Sequence, residues 1–242
     1  ISQSVFYLSV TDPLQRWIPD GREYRVNFED AEITLKITDE SGLLDINLAD
    51  IQTMVELFQG IGIEADIAAR LAAAIQDWRD GDDLVSPEGA EENEYAAEGY
   101  GWGPKNAVFD LLSELLQVYG MTPDIYRLIR PAISIHSGLS RPNLAFAPLE
   151  VLQSIPGMTP ELAQEILNNR HQWDPNSGAA PPVLPDGTQL MAQGGSGTYS
   201  IESRATLPNG AWTQINATIR LGGGGVSGTA YTVLRWQEGN SI

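Results

Sequence analysis

The densest chemistry in the chain is acidic. Between Asp77 and Glu98 stand Asp77, Asp80, Asp82, Asp83, Glu88, Glu91, Glu92, Glu94 and Glu98 against one cation, Arg79. So many carboxylates in one short stretch build a negative potential that a divalent cation relieves, and Ca²⁺ takes oxygen ligands from flexible loops. Counted as an EF-hand, Asp80 at position one puts Asp82 at three and Glu91 at twelve. Leu84 then stands at five and Val85 where the turn glycine belongs, so the match is incomplete. Two readings stay open. One is a calcium site formed by Asp80, Asp82, Asp83 and Glu91; the other is a solvated acidic loop in which Asp80 or Glu91 caps a helix.

The remaining residue types with catalytic potential are poorly placed for it. His136 and His171 are the only histidines, lie in separate segments and share no metal-ligand spacing. Gly194-Gly195-Ser196-Gly197 misses the spacing of a nucleophile elbow, and the glycines at 222 to 225 lack the lysine and hydroxyl residue of a phosphate loop. The chain has no cysteine, which removes thiol chemistry and disulfides. A net charge of -18 and a pI near 4.3 repel nucleic acid and anionic lipid and attract basic partners or cations. Two rival classes follow: a nucleic-acid-binding helical-hairpin protein, disfavoured by charge, and a secreted hydrolase built on carboxylate pairs that only the fold would bring together.

The elements that carry these residues are repetitive. Three glycines, Gly62, Gly120 and Gly157, each follow apolar residues at eleven, eight and five positions before them: Ile51, Met54 and Leu57; Phe109, Leu112 and Leu115; Phe146, Leu149 and Leu152. Beyond each glycine, Ile63, Ala68 and Leu71, or Met121, Tyr126 and Ile129, or Met158, Ala163 and Ile166, continue the pattern. This spacing predicts three hairpins of short helices with facing apolar stripes, each first helix stopped by its glycine. The second helices open with Glu64 and Asp66, Thr122-Pro123-Asp124 and Thr159-Pro160-Glu161. Carboxylates there suit the helix dipole but oppose a phosphate, so the hairpins serve as architecture rather than as DNA clamps. Trp78 and Trp173, each sixteen residues after its glycine, read as core or domain-edge anchors.

Around the helical block the period changes to two. From Tyr24 to Thr38, Ile33, Leu35 and Ile37 alternate with Thr34, Lys36 and Thr38 as in a half-buried strand. After a Pro-, Gly- and Ala-rich loop at 174 to 198, strands are predicted at Thr198–Thr206, Trp212–Leu221 and Thr229–Trp236, with Pro208-Asn209-Gly210 as a turn. A lone early strand is marginal unless it joins the later ones, so the fold class is α+β, one antiparallel sheet interrupted by an inserted helical domain. The expected boundaries are 1–47 for the first part of the sheet core, 48–173 for the helical insertion and 174–242 for the second part of the core. Ile1, Val5 and Leu8 mark one face of a helix end, which either docks a partner's helix or packs on the chain's own sheet.

Several stretches in order resemble the K-type minor pseudopilins of bacterial type II secretion. They are Asp12-Pro13-Leu14 with Trp17, and Asp39-Glu40-Ser41-Gly42 through Asn47-Leu48. Trp78-Arg79-Asp80-Gly81-Asp82 with Gly89-Ala90-Glu91 and Tyr95 continue the series, as do Asn106, Phe109, Glu114-Leu115, Val118 and Gly120-Met121 through Tyr126-Leu128. Arg141-Pro142-Asn143-Leu144-Ala145-Phe146 departs from the family's Asn-rich stretch, and the cysteines of some members are missing. The resemblance implies a pseudopilin fold with an N-terminal helix, a small antiparallel sheet and a large inserted helical domain, without enzymatic activity. It implies a place at the tip of the pseudopilus with other minor pseudopilins as partners, contact with secreted proteins, and no nucleic acid. Calcium, bound by some members, would fall on the acidic loop. The chain starts at Ile1 without an initiator methionine, and the resemblance implies an upstream membrane helix anchoring a periplasmic domain to the inner membrane of a Gram-negative bacterium.

Overall fold

The structure is a computed structural model and describes residues 1–12, 14–192, 195–222 and 230–239. Pro13, Gly194, Gly223, Gly224, Gly225 and Thr229, on which parts of the sequence reading fall, lie outside them. The chain opens with α1 (Ser2–Ser9), β1 (Asp20–Phe28) and β2 (Ala31–Asp39). Next come β3 (Leu44–Asp45), α2 (Ile51–Gly60), α3 (Ala65–Arg79), α4 (Glu92–Ala97), α5 (Pro123–Ile129), β4 (Ile133–Ser134), α6 (Leu149–Gln153) and α7 (Pro160–Gln172). It closes with β5 (Thr198–Thr206), β6 (Trp212–Leu221) and β7 (Tyr231–Glu238).

Two compact units emerge: Ile1–Gly42 with Glu165–Ile242, and Leu43–Gln164. The sequence boundaries at 47/48 and 173/174 sit somewhat further along the chain. The second unit break falls inside α7, because the C-terminal half of that helix is tied to the start of β1 by the charge cluster described below.

The first unit is a five-stranded antiparallel sheet in the order β1-β2-β5-β6-β7. Its central join, β2 with β5, runs in register from Glu32↔Thr206 to Asp39↔Tyr199 and links segments separated by the whole helical insertion. The single strand expected from Tyr24 to Thr38 is instead a hairpin. Glu29 adopts φ 52 and Phe28 pairs with Ala31, so the chain turns at Glu29-Asp30 with neither glycine nor proline to announce it. Leu35, Ile37, Tyr199, Ile201, Ala217 and Ile219 form the buried face, and Val5 and Leu8 of α1 close over it with Ile1 packed at the margin. Tyr7, Trp17 and Tyr24 stack in a column beside them at centroid spacings of 4.5 and 4.3 Å.

The second unit holds the hairpins. Gly62, Gly120 and Gly157 all adopt positive φ, at 97°, 75° and 80°. At the first of them Ile63 N–H reaches Phe58 O and Gly62 N–H reaches Gln59 O, the paired bonds of a Schellman stop. Asp50 caps α2 through Thr53 N–H, and Thr122 caps α5 through Ile125 N–H. The second copy departs from the pattern, since Leu112–Gln117 winds as a 3₁₀ helix before its glycine. The core between these helices includes Met54, Phe58, Leu71, Ile75, Tyr95, Leu115, Ile129 and Ile133, all nearly or fully buried. A side chain on Gly60 would lie 2.2 Å from Ser154 Cα, which shows how closely α2 and the end of α6 approach.

Candidate interaction surfaces and cation site

Of the face marked by Ile1, Val5 and Leu8, the last two are buried and Ile1 is half-buried. Val5 and Leu8 are buried on the chain's own sheet, where they pack with Leu35, Ile37, Tyr199, Ile201, Ala217 and Ile219 of β2, β5 and β6. What α1 presents outward is Phe6, 62 % exposed, with Ser2, Gln3 and Ser9.

At the seam where the chain leaves the sheet, Asp39, Glu40 and Ser41 are all buried. Asp39 accepts from Ser41 N–H at 2.8 Å and from Ser196 N–H at 2.6 Å, while Ser200 Oγ donates to Glu40. Where the chain returns, Asp20 is the hub. Arg22 grips its carboxylate with two parallel bonds of 2.9 Å and donates onward to the carbonyls of Arg170 and Trp173. Arg170, fully buried, approaches Asp20 Oδ2 at 3.9 Å, and His171 Nε2 lies 3.1 Å from Asp20 O. Burial, with Arg22 adding to it and Asp20 opposing it, pulls the Arg170 guanidinium down to about 10, and burial also holds His171 below the usual imidazole range. This cluster has no sequence signature, since Asp20 and Arg170 are far apart along the chain.

The acidic loop is organised by a residue given no role in the sequence reading. Asp77, fully buried, accepts from Ser86 N–H and from Ala90 N–H, the latter at 2.8 Å, and Gly89 packs so near it that a Cβ would fall 2.0 Å from Asp77 Oδ2. Its signal was its place on α3 between Ile75 and Trp78, on the side that faces the core.

The four proposed calcium ligands occupy different positions. Asp82 accepts from Leu84 N–H, and Asp83 accepts from the Asn106 amide. Asp80 ends α3 and accepts from Gln76 Nε2 through one oxygen, whereas Glu91 starts α4 and its N–H is held by Glu94. Asp80 Oδ1 and Glu91 Oε1 are buried without a hydrogen-bond partner. Burial first, then Asp77, Asp80, Asp83 and Asp82, pushes Glu91 up to about 7. Among the described residues no three acidic or histidine side chains gather in an arrangement that would hold a metal ion. The two orphaned oxygens are therefore the observation that favours a cation here, and the dispersal of Asp82 and Asp83 opposes the full four-ligand set.

Both Trp78 and Trp173 are buried, Trp78 stacked on Phe109 at 6.0 Å, as their spacing led one to expect. In the helical unit a cleft of about 240 Å³ is lined mainly by apolar residues such as Leu57, Val151 and Ile155, with Glu56 and Arg141 as its ionisable groups. Among the described residues no helix is long and apolar enough to cross a membrane.

A five-stranded antiparallel sheet capped by a helix, in a chain interrupted by a helical unit, defines the fold class as α+β. Residues 34–138 match the family model of type II secretion system protein K. Type II secretion system protein K of Pectobacterium carotovorum subsp. carotovorum is 27 % identical over 212 residues, covering 66 % of this chain and 64 % of that protein. Its counterpart from Klebsiella pneumoniae is 30 % identical over 132 residues, covering 49 % and 40 %. The chain thus spans less than two thirds of the length of these relatives. Over 99 % of this chain and 93 % of the other, the fold follows a chain in the crystal structure of the GspK-GspI-GspJ complex from the enterotoxigenic Escherichia coli type 2 secretion system, with a TM-score of 0.64 at 17 % identity. The similarity to type II secretion system protein K is therefore to residues 34–138 in sequence and to nearly the whole chain in fold.

Proposed function

We propose that this chain is the part of a minor pseudopilin that caps the tip of the type II secretion pseudopilus and helps initiate its assembly and protein export across the outer membrane. The observation that carries this reading is the interrupted sheet: β2 and β5 join across an insertion of some 120 residues, and nearly the whole chain follows a chain of the GspK-GspI-GspJ complex. Other minor pseudopilins are its partners, in a hetero-oligomeric tip. The helical unit is the bulk that stops further subunits from adding above it, and its acidic surface is the part left to meet secreted proteins. The work is structural and involves no catalysis. The domain lies in the periplasm, anchored in the inner membrane through a helix upstream of Ile1. Calcium sits at Asp80 and Glu91, whose unpartnered oxygens support it. Against a nucleic-acid role stands the net charge of -18.

The test is secretion itself. Deleting the gene should trap type II substrates in the periplasm, and restoring the full-length protein should return them to the medium. Unchanged secretion in the deletion strain overturns the proposal.

A further inference from the structure

An aromatic face in the helical unit is left open by the contacts described so far. Tyr95 is its buried hub, with Tyr100 and Tyr119 at centroid distances of 5.4 and 5.5 Å, and Tyr100 passes the contact on to Trp102 edge-on at 5.3 Å. The Tyr95 hydroxyl accepts from Tyr119 N–H at 2.8 Å, and Trp102 Nε1 donates to Gln117 O at 3.0 Å. The indole is therefore fixed in orientation while 48 % of the residue remains exposed. A rigid, exposed aromatic loses little entropy on binding, which is why such residues anchor interfaces.

Charge decides the occupant. Glu98 lies beside Tyr119 and Glu92 lies 3.6 Å from where a Cβ on Gly103 would stand, next to Trp102. No lysine or arginine occurs from Asp80 to Pro104, and the next cation, Lys105, is engaged by Asp110 and Glu114 at 2.6 and 2.9 Å. The chain also supplies its own contrast. On the sheet, Trp212, 41 % exposed, carries the Arg204 guanidinium 4.3 Å from its ring centroid, whereas no such cation covers Trp102 among the described residues. A ring face flanked by uncompensated carboxylates attracts a cationic side chain through both the ring quadrupole and the local field.

We propose that the Tyr100, Trp102 and Tyr119 face is a docking surface for an arginine- or lysine-bearing segment of another polypeptide, the cation seated over the indole and flanked by Glu92 and Glu98. This surface is independent of the assembly contacts invoked above, so a null result here leaves the secretion assay untouched.

The test titrates the full chain with a blocked hexapeptide carrying two arginines and follows the Trp102 indole N–H resonance, assigned by its absence in Trp102→Phe. A saturable shift is expected, weakening as salt rises, and Glu98→Gln and Trp102→Ala should each lower affinity about two- to fivefold. Circular dichroism checks that both variants remain folded, and Glu98→Gln, on an exposed side chain, carries the test if Trp102→Ala does not fold. Asp124→Asn, a matched loss of one negative charge at another exposed position, should leave affinity unchanged. An unmoved indole resonance overturns the proposal, as does an Asp124→Asn effect equal to that of Glu98→Gln, because general electrostatics would then account for the binding.

Discussion

Replacing Asp20 by Asn removes the one carboxylate shared by two arginines while keeping its shape. Asp20 and Arg170 side chains are fully buried and Arg22 is 16 % exposed, so neither cation can recover much hydration when the charge is lost. Stranding one partner of a buried pair costs about 3–5 kcal/mol, and the carbonyl oxygen retained by Asn puts the expected loss near the low end, about 3 kcal/mol. For a chain of this length that corresponds to a fall in Tm of roughly 6–12 °C. Urea unfolding followed by tryptophan fluorescence, with calorimetry beside it at pH 7, measures both quantities. Asp20→Asn combined with Arg22→Gln should cost less than the two single changes added together, because one stranded cation is then gone. A loss under about 1 kcal/mol, or strict additivity, would refute the view that this cluster fastens the end of α7 to β1.

Three further outcomes rest on the same structure. Gly60→Ala places a Cβ 2.2 Å from the Ser154 backbone; overpacking of about 1–3 kcal/mol should outweigh the gain in helix propensity of roughly 1 kcal/mol, lowering the urea midpoint. Glu91, with a folded pKa of about 7 against an ordinary 4.5, keeps its proton in the folded chain where the unfolded chain has released it. In EDTA, stability should therefore fall as pH rises from about 4.5 to about 7, and Glu91→Gln should flatten that slope. Calcium at neutral pH should raise the Tm of the native chain and leave Glu91→Gln unmoved; equal responses in both would eliminate the acidic loop as its site.

The parts legible in the sequence are those written in local spacing. Gly62, Gly120 and Gly157 stand where left-handed backbone is required, and the apolar steps around them located the helical hairpins. The alternation in β2 likewise showed which face is buried, that of Leu35 and Ile37. Glu29-Asp30 was missed because nothing in its residue types marks a turn, so two strands read as one. Val5 and Leu8 show the opposite limit: periodicity identified the apolar face of α1 but could not say which surface covers it. Asp20, Arg22 and Arg170 were invisible as a group because tertiary folding alone brings them together. Trp102 and its tyrosines were passed over for a similar reason, since their ring contacts join α4, the following loop and the segment before Gly120.

The central claim is the proposed assembly, and the most direct measurement is sedimentation of the chain mixed with the soluble domains of the minor pseudopilins proposed as its partners. The account predicts a discrete species heavier than any component, formed only when the partners are present. Three folded proteins that sediment independently across micromolar concentrations would contradict it.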